Sequence, residues 1–221
     1  MRNHKTISAC LFFILIFSGQ CLFLAGQTDL SESRETWAIE RQPPDKVMDA
    51  VGVKPGMVIG EVGAGRGRYT VYLARRVGET GKILANDIDK RSLDYLRDRC
   101  ERLGFRNVET ILGKEEDPLF PENSLDMAIM VWVYHMLEKP DGLLEKLRLS
   151  LKPGATLVIL DPPDEEIDEE FQIDRSDPDV KVPTIRERVE KSAAASGFEV
   201  VRVETFLPKD IIFILRPNGS E

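Results

Sequence analysis

The chain has 221 residues, 42% of them hydrophobic, enough to bury one sizeable core without requiring two. Its 38 acidic residues outnumber its 30 basic ones, giving a net charge of −8, and no basic stripe interleaved with aromatics runs through it. That balance argues against nucleic acid as a partner, because phosphate neutralisation dominates such binding.

At the N-terminus Arg2, His4 and Lys5 precede an apolar stretch over residues 7–26, broken by Ser18, Gly19 and Gln20. A basic head before an apolar run has the form of a secretory signal, and about 20 such residues also suffice to span a bilayer. No clean small-residue cleavage site follows, and Gln20 before Cys21 matches a lipoprotein box poorly. Residues 1–26 are therefore expected to be a signal peptide or an N-terminal membrane anchor. Basic residues before the stretch, with Asp29, Glu32 and Glu35 after it, give the chain an exported or membrane-anchored orientation. Residues 27–44 read as a linker, 45–217 as one α/β domain and 218–221 as a tail.

The domain opens with an apolar strand at Met57 to Ile59, followed by Glu61 and alternating glycines at 63, 65 and 67. Glycine permits a tight turn and lets a ligand approach bare backbone. Helical spacing of Val71, Leu73, Ala74 and Val77 follows, so this is a strand, a glycine loop and a helix, the ligand corner of a doubly wound fold. A dinucleotide fingerprint, G-x-G-x-x-G, needs a third glycine where Arg68 stands, and a P-loop's G-K-[ST] is absent. The pattern present is E-x-G-x-G-x-G. A carboxylate at Glu61 repels a pyrophosphate and suits a cationic amine.

At these residues the chain resembles the class I S-adenosylmethionine-dependent methyltransferases of small-molecule type. The resemblance covers residues 43–217. It implies that Glu61, Gly63, Ala64, Gly65 and Gly67 hold the methionine end of S-adenosylmethionine. It also implies a Rossmann-like, seven-stranded, mostly parallel sheet with an antiparallel last strand and helices on both faces.

Residues 82–87 read as a second strand ending in Asp87, about 20 residues past the loop, where nucleotide folds place a ribose-binding acid. A carboxylate accepts hydrogen bonds from both ribose hydroxyls. The resemblance assigns Asp87 and its neighbour Ile88 to the cofactor, while Asp89 suits the cap of a helix from Lys90. Residues 107–112 form a third strand. Many relatives follow its terminal glycine with an aspartate that reaches the adenine. Here that position is Lys114, which cannot accept a hydrogen bond, so Glu115, Glu116 or backbone takes the adenine.

The apolar run 124–133 is a central fourth strand that delivers Trp132, Tyr134 and His135 to the carboxyl edge. Trp132 is placed with the cofactor. His135 either draws a proton from an acceptor or caps the next helix. Residues 140–150 have helical spacing, and 151–161 form a fifth strand ending at Asp161, expected with His135 on the acceptor side. The acid- and proline-rich stretch 161–179 reads as a loop, either a lid or a solvated linker. A helix over 184–196 and strands over 198–207 and 210–217 complete the sheet. Arg97, Arg99 and Arg102, mixed with acids, read as helix surface.

Cys10 and Cys21 lie in the N-terminal segment, leaving Cys100 as the sole cysteine of the domain, so no intradomain disulfide or C-x-x-C metal site forms. The resemblance implies methyl transfer to a small-molecule or lipid-like acceptor. The rival readings are a non-catalytic module that holds S-adenosylmethionine or its demethylated product, and an NAD-dependent oxidoreductase disfavoured by Arg68.

Overall fold

The computed structural model describes residues 32–176 and 181–219. The segment 1–26, read as a signal or anchor, lies outside these residues. Among the described residues no helix is long and apolar enough to cross a membrane.

A 3-10 turn at Ser33–Glu35 leads into helix α1 (Thr36–Arg41) and helix α2 (Pro44–Val51). Within the stretch 27–44 read as a linker, the described residues from Ser33 to Arg41 are thus helical, and residues 27–31 lie outside the described ones. Glu35, Ala38 and Gln42 are buried, and Glu35 receives two hydrogen bonds from Arg99, at 2.8 and 2.9 Å. Arg99 is itself only 1% exposed and so does not belong to the helix surface.

Strand β1 (Val58–Val62) and helix α3 (Thr70–Val77) flank the glycine loop. Strand β2 (Lys82–Asp87), helix α4 (Lys90–Leu103) and strand β3 (Val108–Leu112) follow. Asp89 caps α4 by accepting from the Arg91 N–H at 3.0 Å, satisfying a donor that the helix leaves open. Strand β4 (Leu125–Val131) is buried along nearly its whole length, which explains its continuous apolar composition. Helix α5 (Pro140–Ser150) and strand β5 (Leu151–Asp161) come next.

The stretch read as a loop over 161–179 contains helix α6 (Asp164–Phe171). Its composition misled because Asp164, Glu165 and Glu166 crowd the first turn, where negative charge suits the helix N-terminus. Its anchor is the buried Ile167. Helix α7 (Ile185–Ala195) starts from a capping box made by Thr184 and Glu187. Strands β6 (Phe198–Glu204) and β7 (Ile211–Pro217) finish the chain.

The seven strands form one sheet in the order β3-β2-β1-β4-β5-β7-β6. Pairings among β1 to β5 are parallel, whereas β7 is antiparallel to both β5 and β6. Side chains alternate across β4: Met127 and Ile129 join the layer under α2, α3 and α4, while Ala128 and Met130 join the layer under α5 and α7. From β1 the chain winds one way to β2 and β3, then returns to β4 on the other side. The crevice at that switch, above the carboxyl ends of β1 and β4, is where ligands of open α/β sheets bind.

Candidate active site

The glycine loop begins under this crevice. Glu61, on β1, is 2% exposed, and its Oε2 is buried without a hydrogen-bond partner. Burial is the main cause that pushes its pKa up to about 7; Thr70 and Arg68 oppose it and Asp87 adds to it. A buried acceptor left open costs about 1–3 kcal/mol; the nearby Thr70 hydroxyl, buried and also without a partner, is a neutral donor for it, and a ligand's ammonium is a charged one.

Above Glu61 the loop turns at Gly63, whose φ is +69°. A Cβ there would overlap the Val133 side chain, which closes the loop against the end of β4. Gly65, at φ +54°, instead leaves open space where a Cβ would stand. The loop is fastened to β2 from two sides. The Ala64 N–H donates to the Asn86 carbonyl at 2.8 Å, and the Gly65 N–H donates to Asp87 Oδ2 at 2.8 Å. The other Asp87 oxygen accepts from the Asp89 N–H at 2.8 Å. A carboxylate has about four acceptor positions. Asp87 therefore shapes the loop and keeps capacity for a pair of hydroxyls.

A cavity of about 570 Å³ opens beside the loop, bounded by Gly63, Asp87, Ile88, Glu115, Trp132 and Val133 among others. Lys114 and Glu116 also line it, and Met136, Leu137 and Leu143 give it an apolar wall. Five of the sequence-chosen cofactor residues thus face one cavity. Glu61 and Ala64 are buried, Gly65 carries the bond to Asp87, and a Cβ at Gly67 would run into Leu96 on α4.

His135 and Asp161 come together, though away from that cavity. The buried Asp161 accepts from the His135 backbone N–H at 2.9 Å and lies 2.9 Å from His135 Nδ1. An ionised carboxylate only accepts, so this pairing puts a ring proton on Nδ1, while Nε2 lies 3.8 Å from Glu170 Oε2. Burial raises the Asp161 pKa, and the bonds from His135 oppose that rise. His135 borders a second cavity, of about 230 Å³, with Phe171 on α6 beside its ring. Tyr134 is fully buried and donates to the Arg188 carbonyl, a structural contact.

Trp132 was legible as a site residue, but its setting was not. Its φ is +60°, a conformation that costs an L-residue about 1–2 kcal/mol and persists only when its surroundings hold it. The indole stacks on Trp37 of α1 with centroids 5.3 Å apart, and its Nε1 donates to Asp210 at 2.6 Å. The Arg68 and Arg41 guanidinium groups lie 4.7 and 4.9 Å from its ring centroid. Sequence reasoning missed Trp37, Arg41, Gln42 and Asp210, because no local pattern marks them.

A family model described as a methyltransferase domain matches residues 59–154, the span from the glycine loop to the start of β5. A solved S-adenosylmethionine-dependent methyltransferase from Aquifex aeolicus is 29% identical, with a TM-score of 0.69, covering 84% of this chain and 94% of that one. Residues 59–154 thus carry a methyltransferase domain, in a chain similar to S-adenosylmethionine-dependent methyltransferases. The ubiquinone/menaquinone biosynthesis C-methyltransferase UbiE of Hydrogenovibrio crunogenus is 28% identical over 139 residues. The match covers 62% of this methyltransferase, which spans only 55% of that relative's length. A geranyl diphosphate C-methyltransferase from Streptomyces coelicolor shares the fold, with a TM-score of 0.65 at 13% identity over 83% of this chain and 81% of that one.

The methyltransferase's own residues fit the family cofactor. The orphaned Glu61 oxygen suits the ammonium group, the open face of Gly65 suits a close approach of backbone, and Asp87 suits a ribose.

Proposed function

We propose that the protein transfers a methyl group from S-adenosylmethionine to a small-molecule or lipid-like acceptor. The observation that carries this reading is the buried, unpartnered Glu61 carboxyl at the root of a loop without the third dinucleotide glycine. When bound, S-adenosylmethionine supplies an electrophilic methyl on a sulfonium. The protein's task is then to hold donor and nucleophile in line within a water-poor pocket. Glu61 takes the ammonium, Asp87 the ribose, and Ile88 with Glu115 borders the adenine. Trp132 walls the side from which the acceptor approaches. His135, oriented by Asp161, would draw the proton of an acceptor that reaches it from the second cavity, through Nε2.

The relatives' names support the lipid-like choice: one acts in quinone biosynthesis and another binds geranyl diphosphate. Calorimetry with S-adenosylmethionine, S-adenosylhomocysteine and NAD tests the cofactor. Binding of the first two and not the third is expected; a folded protein that binds neither adenosyl ligand sinks the reading. We also propose that residues 1–26 export or anchor the domain, on the strength of their basic head and apolar run. Recovery of the full-length protein in the soluble cytoplasmic fraction with an intact N-terminus would overturn that assignment.

A further inference from the structure

Asp210 stands immediately before β7, the strand that runs against the direction of its neighbours. Because Ile211 pairs with Asp161, the reversal brings Asp210 to the carboxyl edge, beside the site, although it lies far outside the family-matched region. Its side chain is fully buried. Oδ1 accepts from Trp132 Nε1 at 2.6 Å, from Gln42 Nε2 at 3.0 Å and from Arg41 Nη2 at 3.0 Å. Oδ2 accepts from Arg41 Nε at 2.6 Å. One carboxylate thus gathers the aromatic wall of the site and the end of the N-terminal helix.

The network extends in both directions. Gln42 Oε1 in turn accepts from Arg68 Nη1 at 2.9 Å, and Arg68 belongs to the segment that follows the glycines. Arg41 also reaches Glu166 on α6 at 2.5 Å and the Lys209 carbonyl. Burial disfavours the Arg41 charge, but the bonds to Asp210 and Glu166 outweigh it and raise its pKa. The fork-to-carboxylate geometry fixes orientation as well as distance, which a lysine or an asparagine does not reproduce.

We propose that Asp210 is a positioning residue for the acceptor side of the cofactor site. It fastens the strap of residues 33–42 over Trp132 and holds that indole in its strained conformation. The acceptor half of this statement rests on the function proposed above, whereas the fastening does not. Asp210 touches no reacting atom in this scheme. It acts through Trp132 on one side and through Gln42 and Arg68 on the other.

The protein carries its own reporter. It has two tryptophans, Trp37 and Trp132, and they are the stacked pair. Docking of the strap is therefore visible as an exciton couplet in far-ultraviolet circular dichroism, and undocking exposes the bond after Arg41 to trypsin. The full-length protein in mild detergent is compared with Asp210→Asn, Arg41→Gln and Trp37→Phe, the last of which assigns the couplet. Loss of the couplet is expected in both the Asp210 and Arg41 variants, and at least tenfold faster cleavage after Arg41 in Asp210→Asn, with the thermal midpoint of the helical signal little changed. Saturating S-adenosylhomocysteine should slow that cleavage in the wild type and leave it unslowed in Asp210→Asn.

A folded Asp210→Asn that keeps both the couplet and the wild-type cleavage rate overturns the proposal. Should that variant fail to fold, a couplet retained in folded Arg41→Gln overturns it equally. Binding of S-adenosylhomocysteine without any protection overturns the link to the cofactor site. A couplet that depends on Asp210 in a protein that binds no adenosyl ligand upholds the strap and removes the methyltransferase function instead.

Discussion

Mild acid should release the cofactor before it unfolds the protein. Glu61 is held near a pKa of about 7, chiefly by burial, and a cationic ammonium binds its ionised form. At pH 6 only about one molecule in ten is then ionised, and at pH 5 about one in a hundred. Affinity for S-adenosylhomocysteine should fall roughly tenfold from its plateau by pH 6 and tenfold again by pH 5, about 1.4 kcal/mol per pH unit. The ligand's own α-amine loses its proton near pH 8, so the informative window is pH 5 to about 7.5. Calorimetry in two buffers of different ionisation enthalpy reads both the affinity and the protons released, about 0.9 at pH 6 and about 0.5 at pH 7. Glu61→Gln should weaken binding and flatten the profile. A wild-type affinity that stays level from pH 5 to 7, with no proton released, would refute the assignment of Glu61 to the ammonium. The free protein supplies a converse check. Its folded pKa lies above the ordinary 4.5, so the stability Glu61 contributes is complete below about 4.5 and is lost as pH rises through about 7. At pH 8 Glu61→Gln should therefore be the more stable protein in urea, by up to about 3 kcal/mol.

Gly63→Ala combines a left-handed backbone with an overlap on Val133, and should cost about 2–5 kcal/mol in urea denaturation; a loss under about 1 kcal/mol contradicts the loop geometry. Asp87→Asn should lower calorimetric affinity for S-adenosylhomocysteine at least tenfold, with a change in stability below about 1.5 kcal/mol. Arg99→Met leaves the Glu35 carboxylate buried and unpaired, a loss of about 3–5 kcal/mol, and the double variant with Glu35→Leu should regain most of it; no recovery in equilibrium unfolding means the pair does not act as a unit. His135→Ala should reduce turnover while S-adenosylhomocysteine affinity holds, and full retained activity would remove His135 as the base.

The cofactor half was legible because its signals are local. Glu61 lies on β1 and the glycines in the loop directly after it, Asp87 ends the next strand, and the continuous apolar run of β4 marks a strand buried on both faces. The other half is assembled from distant pieces. Arg99 looked like surface because its partner, Glu35, lies 64 residues away. Trp37 and Gln42 sat in what read as a linker, since a short helix that docks by a few side chains has no long periodicity to betray it. Arg68 was informative as a missing glycine but silent about Gln42, which it contacts. The acids of 161–179 concealed α6, whose buried anchor is a single isoleucine.

The contact between Arg41 and Asp210 joins residues 169 apart in the chain. Bonds of such separation close a very long loop and form late, whereas the strands around the glycine loop pair over short distances. Synthesis imposes the same order, because Asp210 emerges after every strand of the sheet except β7. A nascent chain that ends after β5 already owns Glu61, the glycines and Asp87, but it lacks the carboxylate that fastens its own first helix.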